Sequence, residues 1–202
     1  MADAGTIALI GGHLALDFAN TAGWHASDER AEWLTDYGKV IAWARHAGAI
    51  SQVKTHALSR AAKAHPRAAS RALGATIALR ETVYRVFTAL SQLRSPAPDD
   101  IATLHAARVA ALGAAKAQWG GDGLAMRWSP DGHDFASPLY PVMIHSFELL
   151  GSPDLARLRQ CGRHPCGWLF LDRSRNGTRQ WCSSGECGNA MRVARFRERG
   201  QQ

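Results

Sequence analysis

No cysteine occurs in the first 160 residues of this 202-residue chain, and no lysine occurs after Lys116. No run of about 18 apolar residues is present, which excludes a membrane-spanning helix of ordinary length. No phosphate-cradling glycine motif, H-E-x-x-H or nucleophile elbow occurs, so the common sequence signatures of nucleotide binding, zinc hydrolysis and serine hydrolysis are missing. C-x-x-C is also absent, as are internal repeats and low-complexity linkers. No basic-plus-apolar leader precedes MADAGTIALIGG, so the expected compartment is a reducing cytoplasm, where disulfides are rare.

What is present is concentrated at the C-terminal end. Cys161, Cys166, Cys182 and Cys187 form two C-x4-C pairs separated by fifteen residues. Two short-spaced thiol pairs held apart by a loop match a tetrahedral four-thiolate zinc site. Two disulfides or a redox thiol are the competing readings, and His164 could replace Cys166 as a ligand. The favoured expectation is one structural Zn2+ on all four cysteines. A closed four-thiolate site has no open position for water, so metal-assisted hydrolysis is not expected.

The charge has the same location. Residues 1–150 carry 14 Lys+Arg and 13 Asp+Glu, whereas residues 151–202 carry 10 Arg, no Lys and 4 acids. Most of the net charge of +7 therefore belongs to the cysteine-bearing tail. Four thiolates around zinc contribute about −2, which leaves the tail at about +4.

The chain reads as mainly α. A hydrophobic content of 46% is ordinary for a chain that buries a real core. Residues 7–18 are two apolar runs around Gly11-Gly12 and predict a small hairpin or a strand entering a helix. Helices are predicted from Trp33 to Ala47 with Gly48 as the stop, from a Ser51 cap to about Ala64, and from Pro66 to about Leu93. The last carries Leu79, Val83, Val86, Phe87 and Leu90 on one face, with Arg80, Glu81 and Arg85 off it. Asp99 or Asp100 is a candidate cap for a helix to Ala114. Ala117–Ser129 reads as two strands around Gly120-Gly121-Asp122-Gly123. Pro138–Leu150 and a short Ser152-capped segment, Pro153–Leu158, complete a multihelical body over residues 1–158, with the finger at 159–202.

Within the finger, Trp168–Leu171 suits a strand, Asn176-Gly177 a turn, and Arg179-Gln180-Trp181 a return strand. Zinc would then clamp a hairpin whose tip exposes Arg173, Arg175 and Arg179. The run after Cys187 predicts a helix starting at the metal, with Arg192, Arg195 and Arg199 on one stripe and Met191, Ala194 and Val193 as candidates to face the finger or the body. A basic hairpin and a basic helix on one metal scaffold suit a polyanion, since arginine offers a planar fork to phosphate or to guanine edges. A solvated arginine-rich face is the plainer alternative.

The tail resembles the CGNR zinc-finger family through Cys161-x4-Cys166-Gly167-Trp168-Leu169-Phe170-Leu171-Asp172, Ser174-Arg175-Asn176, Arg179-Gln180-Trp181-Cys182-Ser183 and Cys187-Gly188-Asn189. The segment from Gly11-Gly12 through Asp17-Phe18 to Asn20-Thr21 is similar to the opening of the ABATE domain that precedes this finger. So are Trp43, Ala78–Tyr84, Pro138–Pro141 and Ser152–Leu155. The resemblance covers nearly the whole chain. It implies a bacterial stress-related transcription regulator whose finger contacts DNA. One position departs: the family motif ends in Arg, and here Ala190 stands in its place.

His13, Asp17, Asn20, Trp24 and His25 cluster early. Asp17 and Asn20 are expected to satisfy backbone groups at a chain junction rather than to act as acid and base. No nucleophile–base pair is evident, so the chain is not expected to be an enzyme. The body is read as a domain that senses a small-molecule effector or forms a homodimer. The alternative to a DNA-binding regulator is a zinc-stapled module that meets an acidic protein or RNA.

Overall fold

The computed structural model describes residues 3–25, 27–28, 30–120 and 123–199. The fold is mainly α, with seven helices and three two-stranded antiparallel sheets among the described residues. Irregular chain leads into helix α1 (Leu14–Ala19), so residues 7–18 form neither the hairpin nor the strand that the pattern predicts, but a bend at Gly11-Gly12 followed by a helix. Strands β1 (Ala22–Gly23) and β2 (Ala31–Glu32) pair across the following loop.

Helix α2 (Tyr37–His46) begins four residues later than the periodicity predicts, because the Asp36 side chain caps it by accepting from Lys39 N at 3.0 Å. Trp33 and Leu34 stay outside the helix. Gly48, at φ +74°, ends it in the left-handed conformation that lets Ala49 N reach Ala44 O at 2.8 Å. Ser51 caps α3 (Gln52–Ala64), and Pro66 opens α4 (Pro66–Ser91), where its missing N–H costs nothing. Helix α5 (Pro98–Gly113) starts on Ala97, with Pro98 first. Asp99 and Asp100 therefore lie in its first turn rather than at the cap. There they still complement the helix dipole, and Asp100 also pairs with Arg85.

Strands β3 (Lys116–Gly120) and β4 (Gly123–Arg127) form the expected second hairpin. The Gly121 and Asp122 positions of its turn lie outside the described residues. A 3-10 turn, Ser137–Leu139, leads into α6 (Tyr140–Leu150), and a second, Pro153–Arg157, is capped by Ser152.

The core is built around α1, which packs against both α4 and α6, while α2 packs on α4; Leu16 and Phe18 of α1, Trp43 of α2 and Phe87 of α4 are fully buried. Burying one such side chain stabilises the fold by about 2 kcal/mol. The finger shares this core. Strand β5 (Leu158–Gln160) pairs with β6 (Leu169–Leu171), and Leu169, Phe170 and Leu171 are all buried against α1 and α4. A division at 158/159 thus falls on β5. Among the described residues no helix is long and apolar enough to cross a membrane.

Candidate metal centre and nucleic-acid interface

The register of β6 sets the geometry of the finger. One edge pairs with β5. On the other side, Leu171 N donates to Gly11 O at 2.9 Å, and the Asn20 amide binds both Leu169 backbone groups. Both edges are taken, so Arg179–Trp181 cannot return as the expected strand and forms irregular chain instead. The hairpin that the metal was expected to clamp is therefore β5–β6, not a pairing of 168–171 with 179–181.

The loop after β6 is organised by Asp172. Although charged, Asp172 is only 1% exposed. Its Oδ1 accepts from Ser174 N at 2.9 Å and Ser174 Oγ at 2.6 Å, and its Oδ2 accepts from Arg179 N at 2.9 Å. The Ser174 hydroxyl and these backbone donors hold its carboxyl below the usual range. Gly177 turns the loop back at φ +62°, as the Asn176-Gly177 pair predicts.

Two knuckles then bring the thiols together. Cys166 N donates to Arg163 O in the first, and Gly188 N to Ser183 O in the second. All four cysteines are buried, and their Sγ atoms lie within 4.8 Å of one another. Cys166 and Cys182 are 3.6 Å apart, and Cys182 and Cys187 are 3.5 Å apart. A tetrahedron of Zn–S bonds of about 2.3 Å has S···S edges of about 3.8 Å, so the spacing fits one zinc ion. It does not fit disulfides, whose bonds are near 2.05 Å. Cys161 is held down as a thiolate by hydrogen bonds from Cys166 and Cys182, while the thiols of Cys166 and Cys182 are pushed up by Cys161. Without a cation their mutual repulsion keeps the cluster from ionising fully, and a bound zinc ion would hold all four as thiolates, which is the chemistry of a structural zinc site.

Trp181 is gripped between the knuckles. A Cβ on Gly162 would lie 3.2 Å from Trp181 Cζ3, and one on Gly188 would lie 3.2 Å from Trp181 Cδ1. Glycine follows the first cysteine of the first pair and the second cysteine of the second, where a side chain would crowd the indole and force it to shift by a few tenths of an ångström. His164 is not in the thiol cluster. It lines a separate polar cleft of about 480 Å³ with His25 and Arg30.

The arginines separate into two kinds. Arg179 was expected at an exposed tip, and the structure turns it inward. Its Nε donates to Trp181 O at 2.9 Å, its Nη2 donates to Cys182 O, and its guanidinium lies 4.3 Å from the Phe170 ring centroid. Its donors are committed to the metal turn, so it leaves the set of displayed arginines. Arg175 is exposed, and Arg173 is largely exposed, with Nη2 3.3 Å from Gly12 O and 3.6 Å from Asp154.

The last element, α7 (Asn189–Arg199), starts directly on the π-helical turn Ser184–Gly188 that carries Cys187. That turn is the element it packs against most closely. Ala190, Met191 and Ala194 are half-buried, while Arg192, Arg195 and Arg199 are exposed; Val193 is exposed as well, because it lies about 100° around the helix from Ala194 and misses the buried side. Phe196, 78% exposed, stands beside them.

The finger is tied to the body through residues whose role the sequence hides. Tyr84 OH donates to Gly167 O at 3.0 Å, and Trp168 Nε1 donates to Ala22 O at 2.8 Å. Behind Tyr84, His25 stacks on its ring at 3.7 Å and reaches Glu81. Arg80, placed off the apolar face by periodicity, is 2% exposed and paired with Glu32 and Glu81. Burial pushes the Glu81 carboxyl up, but His25 and Arg80 overcome it and hold the group at about 2.

A helical body that shares its core with a four-cysteine knuckle finger defines a zinc-finger protein. The chain belongs to the ABATE family: the model described as "Putative stress-induced transcription regulator" matches residues 12–153, and that of the CGNR zinc finger matches residues 157–200. A search of curated proteins finds no match.

Proposed function

We propose that this protein is a non-enzymatic transcription regulator that binds duplex DNA through α7 and the Arg173–Arg175 loop, with the helical body receiving the signal. The observation that carries the reading is the placement of α7. It leaves the metal turn with Arg192, Arg195 and Arg199 in solvent, and it belongs to a tail that holds most of the chain's net charge. A helix is about as wide as the major groove, and arginine can meet phosphates or guanine edges there. The structural zinc fixes the start of that helix, so the metal's role is to hold the reading surface rather than to do chemistry. Family membership supports the same reading.

The test is selection of random duplexes on the zinc-loaded protein at about 150 mM salt, where non-specific electrostatic binding is suppressed. An enriched motif that disappears in the Arg192→Ala/Arg195→Ala double variant supports the proposal. The double variant should also flatten the dependence of log affinity on log salt by about two units. Absence of enrichment, with zinc bound and the fold intact, favours the interaction module for an acidic protein or RNA.

A further inference from the structure

A cleft of about 830 Å³ lies between the body and the finger, within the size range of small-molecule sites. Its walls carry three tryptophans, Trp24, Trp33 and Trp168, and three of the metal-site cysteines, Cys166, Cys182 and Cys187, border it from the finger side. We propose that this cleft binds a small, largely apolar organic cation.

The aromatic walls are fixed rather than incidental. Trp168 is held by its bond to Ala22 O and meets Trp33 edge to face, with centroids 5.6 Å apart. A Cβ on Gly23 would fall 2.9 Å from Trp33 Cη2, so the Trp33 ring lies directly on the Gly23 backbone. Trp24 has φ +54°, an uncommon and strained conformation for a bulky residue, and it remains 48% exposed. Strain of this kind persists where the surroundings impose it and clusters at ligand sites. Here it displays an indole that a simple core would bury.

The charges select the sign of the ligand. Asp3 and Lys39 pair with each other at the edge of the cleft. Glu32 is neutralised from outside by Arg80. Arg163 and Glu186 offset one another in sign, and Arg163 Nη1 lies 3.8 Å from Cys187 Sγ. What remains is the zinc-tetrathiolate centre, with a formal charge of about −2. The cleft is thus an electronegative place with indole walls in a chain of net charge +7. Indole faces attract cations, and a desolvated cation–π contact is stronger than an exposed one. A neutral aromatic would use the walls but not the field, and an aromatic anion would be repelled by it.

This site stands apart from the DNA reading, and its test contains no DNA. The zinc-loaded protein is titrated calorimetrically with N-methylquinolinium, with its neutral isostere 1-methylnaphthalene and with 1-naphthoate, while the indole N–H signals are followed by NMR. The expected result is binding of the cation at least about tenfold tighter than either other probe, with the Trp24, Trp33 and Trp168 signals shifting. Trp24→Ala, at a half-exposed position, should loosen the cation about tenfold while leaving zinc content and the circular dichroism spectrum unchanged. Glu186→Gln, which removes a rim carboxylate, should loosen it severalfold. No binding of the cation, equal or tighter binding of the neutral or anionic probe, or an unchanged affinity in Trp24→Ala would each overturn the proposal.

Discussion

Asn20 and Leu169 are 149 residues apart and share two buried hydrogen bonds: Asn20 Nδ2 donates to Leu169 O at 2.8 Å, and Leu169 N donates to Asn20 Oδ1 at 2.9 Å. The side-chain amide acts as a missing strand edge for β6. It seats the first strand of the finger in the core of the body, so the metal site and the helical domain form one packed structure.

Asn20→Ala should therefore be strongly destabilising. It leaves a buried N–H and a buried C=O without partners, at about 1–3 kcal/mol each. Asn20→Asp should be nearly as harmful, because a carboxylate cannot donate to Leu169 O. Urea titrations followed separately by circular dichroism and by zinc release provide the check. The two transitions should coincide in the parent and shift together in the variants. Zinc release that moves alone would show that the finger melts independently.

Arg179 and Arg192 should separate structure from recognition. Arg179→Ala removes the donors to Trp181 O and Cys182 O and the stacking on Phe170, so it should weaken zinc retention against a competing chelator. Arg179→Lys should not restore it, since an ammonium cannot reproduce the planar fork. Arg192→Ala should leave zinc retention unchanged and lower DNA affinity. A reversed pattern would return Arg179 to the displayed set.

Cys182→Ser tests the metal assignment directly. Cys182 lies 3.6 Å from Cys166 and 3.5 Å from Cys187 at the centre of the cluster, so its loss should abolish stoichiometric zinc binding. Metal analysis of the purified variant decides this, and zinc content equal to the parent's would remove Cys182 from the ligand set.

Much of this design is legible in the chain. The two C-x4-C pairs define the metal site because thiol spacing alone marks it, and the Arg192–Arg195–Arg199 spacing defines the outer face of α7 because helical period decides it. Asp17 and Asn20 were readable as backbone partners from their residue types. What the sequence conceals is tertiary. Trp168–Leu171 looks like half of a local hairpin, and only the distant Gly11, Asn20 and β5 show that both its edges are taken. Arg80 looks solvent-facing by period, and only Glu32 and Glu81 make its burial tolerable. Arg179 looks like its arginine neighbours until the carbonyls of the metal turn come within reach.

Asp17 gives the fold a pH dependence of definite sign. Burial pushes its carboxyl up to about 6, only partly offset by the Gly11 N–H and by His46. Its ordinary value is 3.8, so between about 4 and 6 the unfolded chain loses the proton that the folded protein keeps. Stability from this group is present at the acid end of that window and is lost as pH rises through it. Asp17→Asn keeps an oxygen for Gly11 N and removes the titration. The stability difference between parent and variant should therefore shift against the parent from pH 4 to pH 7. A difference that stays constant over that range would show that Asp17 titrates normally.

Ala190 occupies the position where the CGNR motif has arginine, and its place on α7 predicts what restoring that residue would do. At about 100° per residue, position 190 lies about 200° around the helix from Arg192. It is half-buried on the side shared with Met191 and Ala194, away from Arg192, Arg195 and Arg199. An arginine there would meet the finger rather than a groove occupied by the opposite face. Ala190→Arg should accordingly change DNA affinity by less than about twofold, whereas a gained base contact would be worth about 1–3 kcal/mol, tenfold or more. Any large effect should fall on thermal stability and zinc retention. Fluorescence anisotropy with a selected duplex, run beside a melting curve, separates the outcomes. A tenfold gain in affinity without a change in melting would place position 190 on the DNA-reading surface and require α7 to dock through its other face.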